Sequence, residues 1–178
     1  MEVLKYGDLA IRPALVTDAT QLATWWNDGA VMVHAGFPRG IGTTEKKVAE
    51  SLSGDGLATG RRLLLLRGAE AIGEMYYSME GHDTAEIGIK ICRQDFQGQG
   101  LGKCYLRLLI DSLFAQGIQK IRLDTMLENQ RAQHVYESLG FQKVGVRKDC
   151  WQDQLGVWRT AVDYELLPKN WQSTLQNR

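Results

Sequence analysis

Residues 85–103 read AEIGIKICRQDFQGQGLGK, and this stretch decides the fold. Its first half alternates. Ile87, Ile89 and Ile91 point to one side of an extended chain, while Glu86, Gly88 and Lys90 point to the other. That pattern predicts a strand over 85–91. The second half carries Gly98, Gly100 and Gly102, and a helical run follows directly. From about Lys103 to Gln116, Leu106, Leu109, Ile110 and Leu113 recur at helical spacing, and Gly117 is a natural stop. A glycine turn between a buried strand and a helix brings together unpaired amides and the positive end of the helix dipole. An anion site is the physical expectation there.

Working outward, 62–66 is an apolar run of strand length, and 71–79 (AIGEMYYSM) is a second strand closed by Gly81-His82-Asp83. Ile11-Arg12-Pro13 ends a short opening strand. Asp18 and Gln21 stand at capping-box spacing before a helix whose apolar side is Leu22, Trp25 and Trp26. Asn27-Asp28-Gly29 stops it, and Thr44 caps a second helix running through Val48 and Leu52. Downstream, Ile121, Leu123 and Thr125 alternate over a strand at 118–125. Asn129 then takes a cap position before the stripe Ala132, Val135, Tyr136 and Leu139, which ends at Gly140. Closing strands fit near 143–151 and 158–166. The expectation is an α/β fold: a central mixed β-sheet flanked by helices, ordered β-α-α-β-β-β-α-β-α-β-β. It forms a single domain over 1–178.

Composition narrows the function. The chain has 178 residues, with 21 Lys+Arg against 21 Asp+Glu, so its formal charge is zero and a protein devoted to gripping nucleic acid is disfavoured. No apolar run reaches the ~18 residues that would cross a bilayer, and the first residues lack a signal-peptide pattern. Cys92, Cys104 and Cys150 form no Cys-x-x-Cys pair, and His34, His82 and His134 are scattered, so neither a disulfide framework nor a metal site is expected. A reducing cytoplasm fits this usage. Glycine is the outlier: 19 of 178 is about 11%, against a typical ~7%.

The glycine turn fails two phosphate motifs. A P-loop needs a hydroxyl after Gly102-Lys103, where Cys104 stands, and the dinucleotide fingerprint would need glycine at Lys103. What fits is Gln97-x-x-Gly100-x-Gly102 after an Ile-rich strand. This segment resembles the acetyl-CoA pyrophosphate loop of the GNAT superfamily of N-acetyltransferases. The downstream ENQRAQHVYESLGF, with Asn129, Ala132, Tyr136, Gly140 and Phe141, is similar to that family's next block. Two blocks in the correct order make the resemblance specific, and the layout is most similar to the ribosomal-protein-alanine N-acetyltransferase type. The match is weakest over 28–60.

The resemblance implies an enzyme moving an acetyl group from acetyl-CoA, as co-substrate, to a primary amine by direct attack on the thioester. The acceptor would be a protein N-terminus or a small amine; an aminoglycoside or polyamine acceptor and a non-catalytic CoA-binding regulatory domain are the alternatives. It implies that Gln97 and Gly98 form the loop and that amides of Gln99, Gly100, Leu101, Gly102 and Lys103 take the pyrophosphate. The backbone of Ile89 and Ile91 would pair with the pantetheine arm, and Asn129 would contact that arm or simply cap its helix. Tyr136 is the implied general acid toward the departing thiolate; alone it would read as one step of an apolar stripe. Glu86 is the leading base, with Glu74 or water in reserve. Asp124 reads as a strand-end charge near the slot. Loops 28–43 and 53–61 are where acceptor choice is expected to lie. No nucleic acid, membrane or metal partner is expected, and a homodimer is left open.

Overall fold

The computed structural model describes residues 2–54 and 59–173. In chain order these form strands β1 (Leu4–Tyr6) and β2 (Leu9–Pro13), helices α1 (Ala19–Trp26), α2 (Gly29–Met32) and α3 (Glu45–Ser53), then β3 (Gly60–Arg67), β4 (Glu70–Glu80) and β5 (Thr84–Ile91). Helix α4 (Leu101–Ala115), β6 (Lys120–Met126), α5 (Gln130–Ser138), β7 (Gln142–Gln152) and β8 (Trp158–Leu166) complete the order. The eight strands make one sheet ordered β1-β2-β3-β4-β5-β6-β8-β7. Every neighbouring pair is antiparallel except β5 with β6.

The alternation in β5 sorts its side chains as expected. Ile87 is fully buried, and Ile89 and Ile91 pack against the same core, beside Leu106, Leu109 and Ile110 of α4 and Tyr136 and Leu139 at α5. The opposite face of the sheet carries a second cluster, where Leu64 and Cys92 meet Leu22 and Trp25 of α1 and Val48 and Leu52 of α3. Each of these large side chains contributes roughly 1.5–3 kcal/mol by leaving water. The sheet is therefore covered on both faces at its centre, with α4 and α5 on one side and α1 and α3 on the other.

Three local expectations change. The opening strand is a hairpin, β1 with β2. Within the 28–43 loop a short helix, α2, forms, with the Asp28 carboxylate accepting from the Ala30 amide. Asp18 does not make the expected capping box. Its carboxylate takes two hydrogen bonds from Arg12, at 2.6 and 2.8 Å, and one from the Leu15 amide at 2.7 Å. A full guanidinium partner outcompetes a helix amide for the same oxygens. Thr44 and Asn129 do cap α3 and α5, accepting from the amides of Lys47 and Ala132.

The 28–43 loop is held at both ends. Asn27 exchanges two hydrogen bonds with the Thr43 backbone, at 2.9 and 2.8 Å. Gln154, in the turn between β7 and β8, donates to the Gly40 carbonyl at 2.9 Å and accepts from the Arg39 amide at 2.8 Å, while its own amide donates to Gly36. Gly40 has φ +74°, and a Cβ there would stand 2.2 Å from the Asn27 carbonyl oxygen. Gly40→Ala is expected to destabilise the fold by about 2 kcal/mol, since the nearest atoms a Cβ would meet are all Asn27 backbone, which cannot swing aside as a side chain would. Urea unfolding checks this; an unchanged midpoint would show that the loop is not fixed by this contact.

Candidate active site

Strands β5 and β6 pair at only three positions, Thr84 with Lys120, Ala85 with Ile121 and Glu86 with Arg122. Beyond them both strands run on without a ladder between them. The Cys92 amide donates to the Ile72 carbonyl of β4 at 2.9 Å, so by alternation Ile91, Ile89 and Ile87 turn their backbone groups away from β4 and into the gap. The gap opens into a cavity of about 810 Å³ whose walls include Ile89 and Ile91, the loop before α4, and Asn129 and Tyr136 at α5.

At the mouth of the gap, the amides of residues 98–102 find no acceptor among the described residues, although the Gln97 amide reaches the Gln94 carbonyl. Gly100, in the left-handed conformation, caps the 15-residue helix α4. Free amides, helix dipole and glycine backbone thus converge. Three assignments are refined here. The Lys103 amide is already bonded to the Gly100 carbonyl at 3.1 Å, because the first helical turn closes tightly, and it is not free for an anion. The Gln97 side chain donates to the Ile91 carbonyl at 2.9 Å, which leaves Ile89 as the strand position open at both backbone groups. The Gln99 side chain bonds Arg67 and the Asp95 carbonyl, and the residue is absent from the cavity wall.

Tyr136 is buried and faces the cavity, with its ring against Tyr164 (5.8 Å) and Phe141 (6.0 Å). Its hydroxyl has no protein hydrogen-bond partner among the described residues. Burial, and next the nearby charge of Asp124, pushes it up to about 12. The Asn129 carbonyl oxygen caps α5, its amide nitrogen has no protein partner among the described residues, and the residue lines the cavity. Cys92 lies on the second core, where burial raises its thiol to about 12 and makes it inert.

The carboxylates are arranged differently from expectation. Glu86 belongs to the last paired rung, below the fork, and is not on the cavity wall; its carboxylate accepts from the Tyr76 hydroxyl at 2.9 Å. Glu74 does reach the wall but is 1% exposed and committed. It accepts from Lys90 (2.9 Å), Trp26 (2.9 Å) and Arg62 (3.2 Å). Burial raises its proton affinity, but the charges of Lys90 and Arg62 and the bonds from Lys90 and Trp26 outweigh that and hold it below the usual carboxylate range. It is a fixed anion. The carboxylate that faces the gap is Asp124 of β6, anchored by Arg147 at 2.5 Å and otherwise exposed. Its signal was in the sequence: alternation in β6 puts Asp124 on the face opposite Ile121, Leu123 and Thr125. Its importance depends on β5 and β6 parting, which local pattern does not encode.

Gly88 shapes the same wall. A Cβ there would fall 2.2 Å from the Tyr76 ring, so glycine lets that ring lie across β5 at the fork. Arg62 stacks over Tyr76 and Trp26, its guanidinium 5.2 and 5.0 Å from the two ring centroids. Trp151 of β7 and His34 of loop 28–43 also line the cavity; of the segment 53–61, residues 55–58 lie outside the described residues.

This combination of forked strands and free-amide loop is that of an acyl-CoA-binding acetyltransferase fold, and the acetyltransferase (GNAT) domain model matches residues 8–142; the chain belongs to that family. Among curated relatives, the chain is similar to the ribosomal protein bS18-alanine N-acetyltransferases of Haemophilus ducreyi (41% identical over 67 residues, 38% of this chain and 46% of that protein) and Escherichia coli K12 (40% over 55 residues, 31% and 37%). These matches span less than half the length of either relative. Solved structures share the fold across nearly the whole chain. A ribosomal L7/L12 alpha-N-protein acetyltransferase in complex with coenzyme A superposes with TM-score 0.82 at 19% identity, covering 93% of this chain and 98% of that one. The spermidine N-acetyltransferase of Vibrio cholerae, in complex with CoA and spermine, gives 0.81 at 21%, covering 92% and 97%.

Two outcomes follow. Glu74→Gln strips a buried anion from two cations and is expected to cost about 3–5 kcal/mol in chemical denaturation. In the parent, the Glu74 contribution is complete above the unfolded carboxyl value of about 4.3 and is lost as pH falls through the lower folded value. A variant of parental stability at pH 7 would refute this. Gly88→Ala is expected to displace the Tyr76 ring and narrow the fork, raising the acceptor KM more than it lowers stability; equal KM values would refute that.

Proposed function

We propose that the protein is an acetyl-CoA-dependent N-acetyltransferase that delivers the acetyl group to a primary amine by direct attack on the thioester. The observation that carries this reading is the fork between β5 and β6, which leads an unpaired strand edge to the free amides of residues 98–102. The donor set suits coenzyme A: amides at a helix N-terminus for a pyrophosphate, and an open edge at Ile89 for an amide-bearing arm. When bound, acetyl-CoA supplies an activated acyl carbon and a thiolate leaving group.

The chain's own residues then divide the work. Residues 98–102 hold the anion, Ile89 aligns the arm, and the Asn129 amide steadies it from α5. An open strand N–H polarises the acyl oxygen. Tyr136, at about 12, stays protonated throughout the working range, so it serves as a constant hydrogen-bond donor to the departing sulfur. Asp124 replaces Glu86 and Glu74 as the carboxylate that receives the amine and its proton, because it alone of the three is on the wall and open to solvent. Names of the curated relatives favour a protein N-terminus as acceptor. The free thiols of Cys92, Cys104 and Cys150 favour a reducing, cytoplasmic setting.

Incubation with acetyl-CoA and an amine panel, read as thiol release, tests the activity; no turnover with any amine would overturn it. Tyr136→Phe is expected to lower kcat by about 10²-fold while coenzyme affinity is retained, and Asp124→Asn to lower kcat/KM for the amine comparably. The parent profile should show no alkaline loss from Tyr136 below about pH 11. A Tyr136→Phe enzyme with parental kcat would remove the donor role.

A further inference from the structure

Strand register lays out the part of the cavity that lies beyond Asp124. Asp124 of β6 pairs with Asp163 of β8, Met126 pairs with Ala161, and Arg159, two residues further along β8, pairs with Trp151 of β7. Paired residues share a face of the sheet, and so do alternate residues of one strand. Asp124, Met126, Ala161 and Trp151 therefore stand on one face, and all four line the cavity. Four residues along β8 and two strands across separate the Asp124 and Trp151 backbones by roughly 16 Å. Ala30, Val31, His34 and Ala35 of loop 28–43 line the same cavity.

Trp151 is fixed from two sides. Between the Arg147–Ala161 and Trp151–Arg159 rungs, β7 advances four residues while β8 advances two. In this bulge Asp149 takes φ +44°, and its amide donates to the Thr160 hydroxyl at 3.2 Å. A bulge bends its strand and re-aims the side chain that follows. On the other side the ring edge lies on Gly36, where a Cβ would stand 2.3 and 2.5 Å from two ring atoms. The Gln154 amide donates to the Gly36 carbonyl at 2.8 Å, so hairpin and loop hold the ring between them.

The surface from Asp124 to Trp151 offers an incoming molecule apolar contact and little charge. Asp124 and Glu74 are the only carboxylates on the cavity wall among the described residues, and Glu74 is committed to Lys90, Trp26 and Arg62. Glu86 is off the wall and bonded to Tyr76, and Asp153 is taken by Arg159 and by the amides of Leu155 and Val157. Arg147, on the Ala161 rung, turns back to Asp124 and Asp163. A second ammonium carried past Asp124 would shed water and meet no free carboxylate. An apolar side chain would instead gain by burial against Trp151.

We infer that Trp151 is a specificity-determining residue for the acceptor, which is an extended peptide with an apolar side chain at its third or fourth residue. This rests on the acetyltransferase reading, with the amine at Asp124, and narrows it. An extended chain advances about 3.3 Å per residue, and the Asp124 and Trp151 side chains both reach inward from their backbones, so the third or fourth residue arrives at the ring.

The test uses the full chain at saturating acetyl-CoA with spermidine and a set of peptides: Ala followed by serines throughout, and versions with a single Leu at the second, third, fourth or fifth position. Leu at the third or fourth position is expected to raise kcat/KM about tenfold over the all-serine peptide, and Leu at the second by less than about twofold, with spermidine lowest. Salt should leave the gain unchanged, because no charge takes part in it. Trp151→Ala should bring the gain to within about twofold of one, and Trp151→Phe should retain most of it. Gly36→Ala, which displaces the ring, should reduce the gain as well. Each gain compares two peptides on one protein, so a general loss of folding or activity cancels. A gain at every position alike or at none, a gain undiminished in Trp151→Ala, or a preference for spermidine over every peptide would overturn the inference. Calorimetry of the all-serine peptide and the two with Leu at the third or fourth position, on protein loaded with CoA, separates this from catalysis. Tighter binding of a Leu peptide without turnover keeps the subsite and removes the acetyltransferase reading; equal binding removes the subsite whether or not turnover occurs.

Discussion

The parting of β5 from β6 after three rungs is the constraint from which the site follows. A strand that leaves its neighbour exposes a row of amides and carbonyls that cannot stay buried without partners. Here the chain satisfies part of the row itself, through the Gln97 side chain on Ile91, and leaves Ile89 to a ligand. The parallel direction of this one pair matters as well. Parallel strands need a crossover, and the crossover is α4, whose N-terminus must begin beside the end of β5. Strand edge and helix dipole are thus brought to one mouth by connectivity alone.

Charge is distributed over the fork with similar economy. Glu74 is buried because three donors surround it, and those donors are drawn from α1, β3 and β5. The ion cluster therefore ties the helical cover to the sheet at the same place where it lines the cavity. Tyr136 sits in the opposite regime, among aromatic neighbours, where a hydroxyl without a protein partner keeps its proton. A fixed anion on one side and a permanently protonated phenol on the other leave Asp124, anchored by Arg147, as the solvent-exposed carboxylate at the fork.

Most of the fold was legible because its signals are local. The alternation of Ile87, Ile89 and Ile91, the stripe Leu106–Leu109–Ile110–Leu113, and the caps Thr44 and Asn129 all report on neighbours in sequence. The glycine turn was legible for the same reason, since Gly98, Gly100 and Gly102 stand directly between a strand and a helix. What was not legible depends on tertiary pairing. Glu86 and Asp124 are both polar residues on otherwise apolar strands, and only the rung at which β5 and β6 separate puts one below the fork and the other in it. Asp18 shows the same limit, its capping geometry overridden by Arg12 from β2. Loop 28–43 hid its glycines' purpose because the groups they make room for lie elsewhere in the chain.

That loop has a consequence for how the molecule is assembled. Its clasp, Arg39 and Gly40 to Gln154, joins positions 115 residues apart. Strand β5, the glycine turn and α4 are contiguous and need only short-range closure, whereas loop 28–43 is fixed only once the β7–β8 hairpin has been made. A chain growing from its N-terminus has β5, the glycine turn and α4 before it has the β7–β8 turn that fixes loop 28–43.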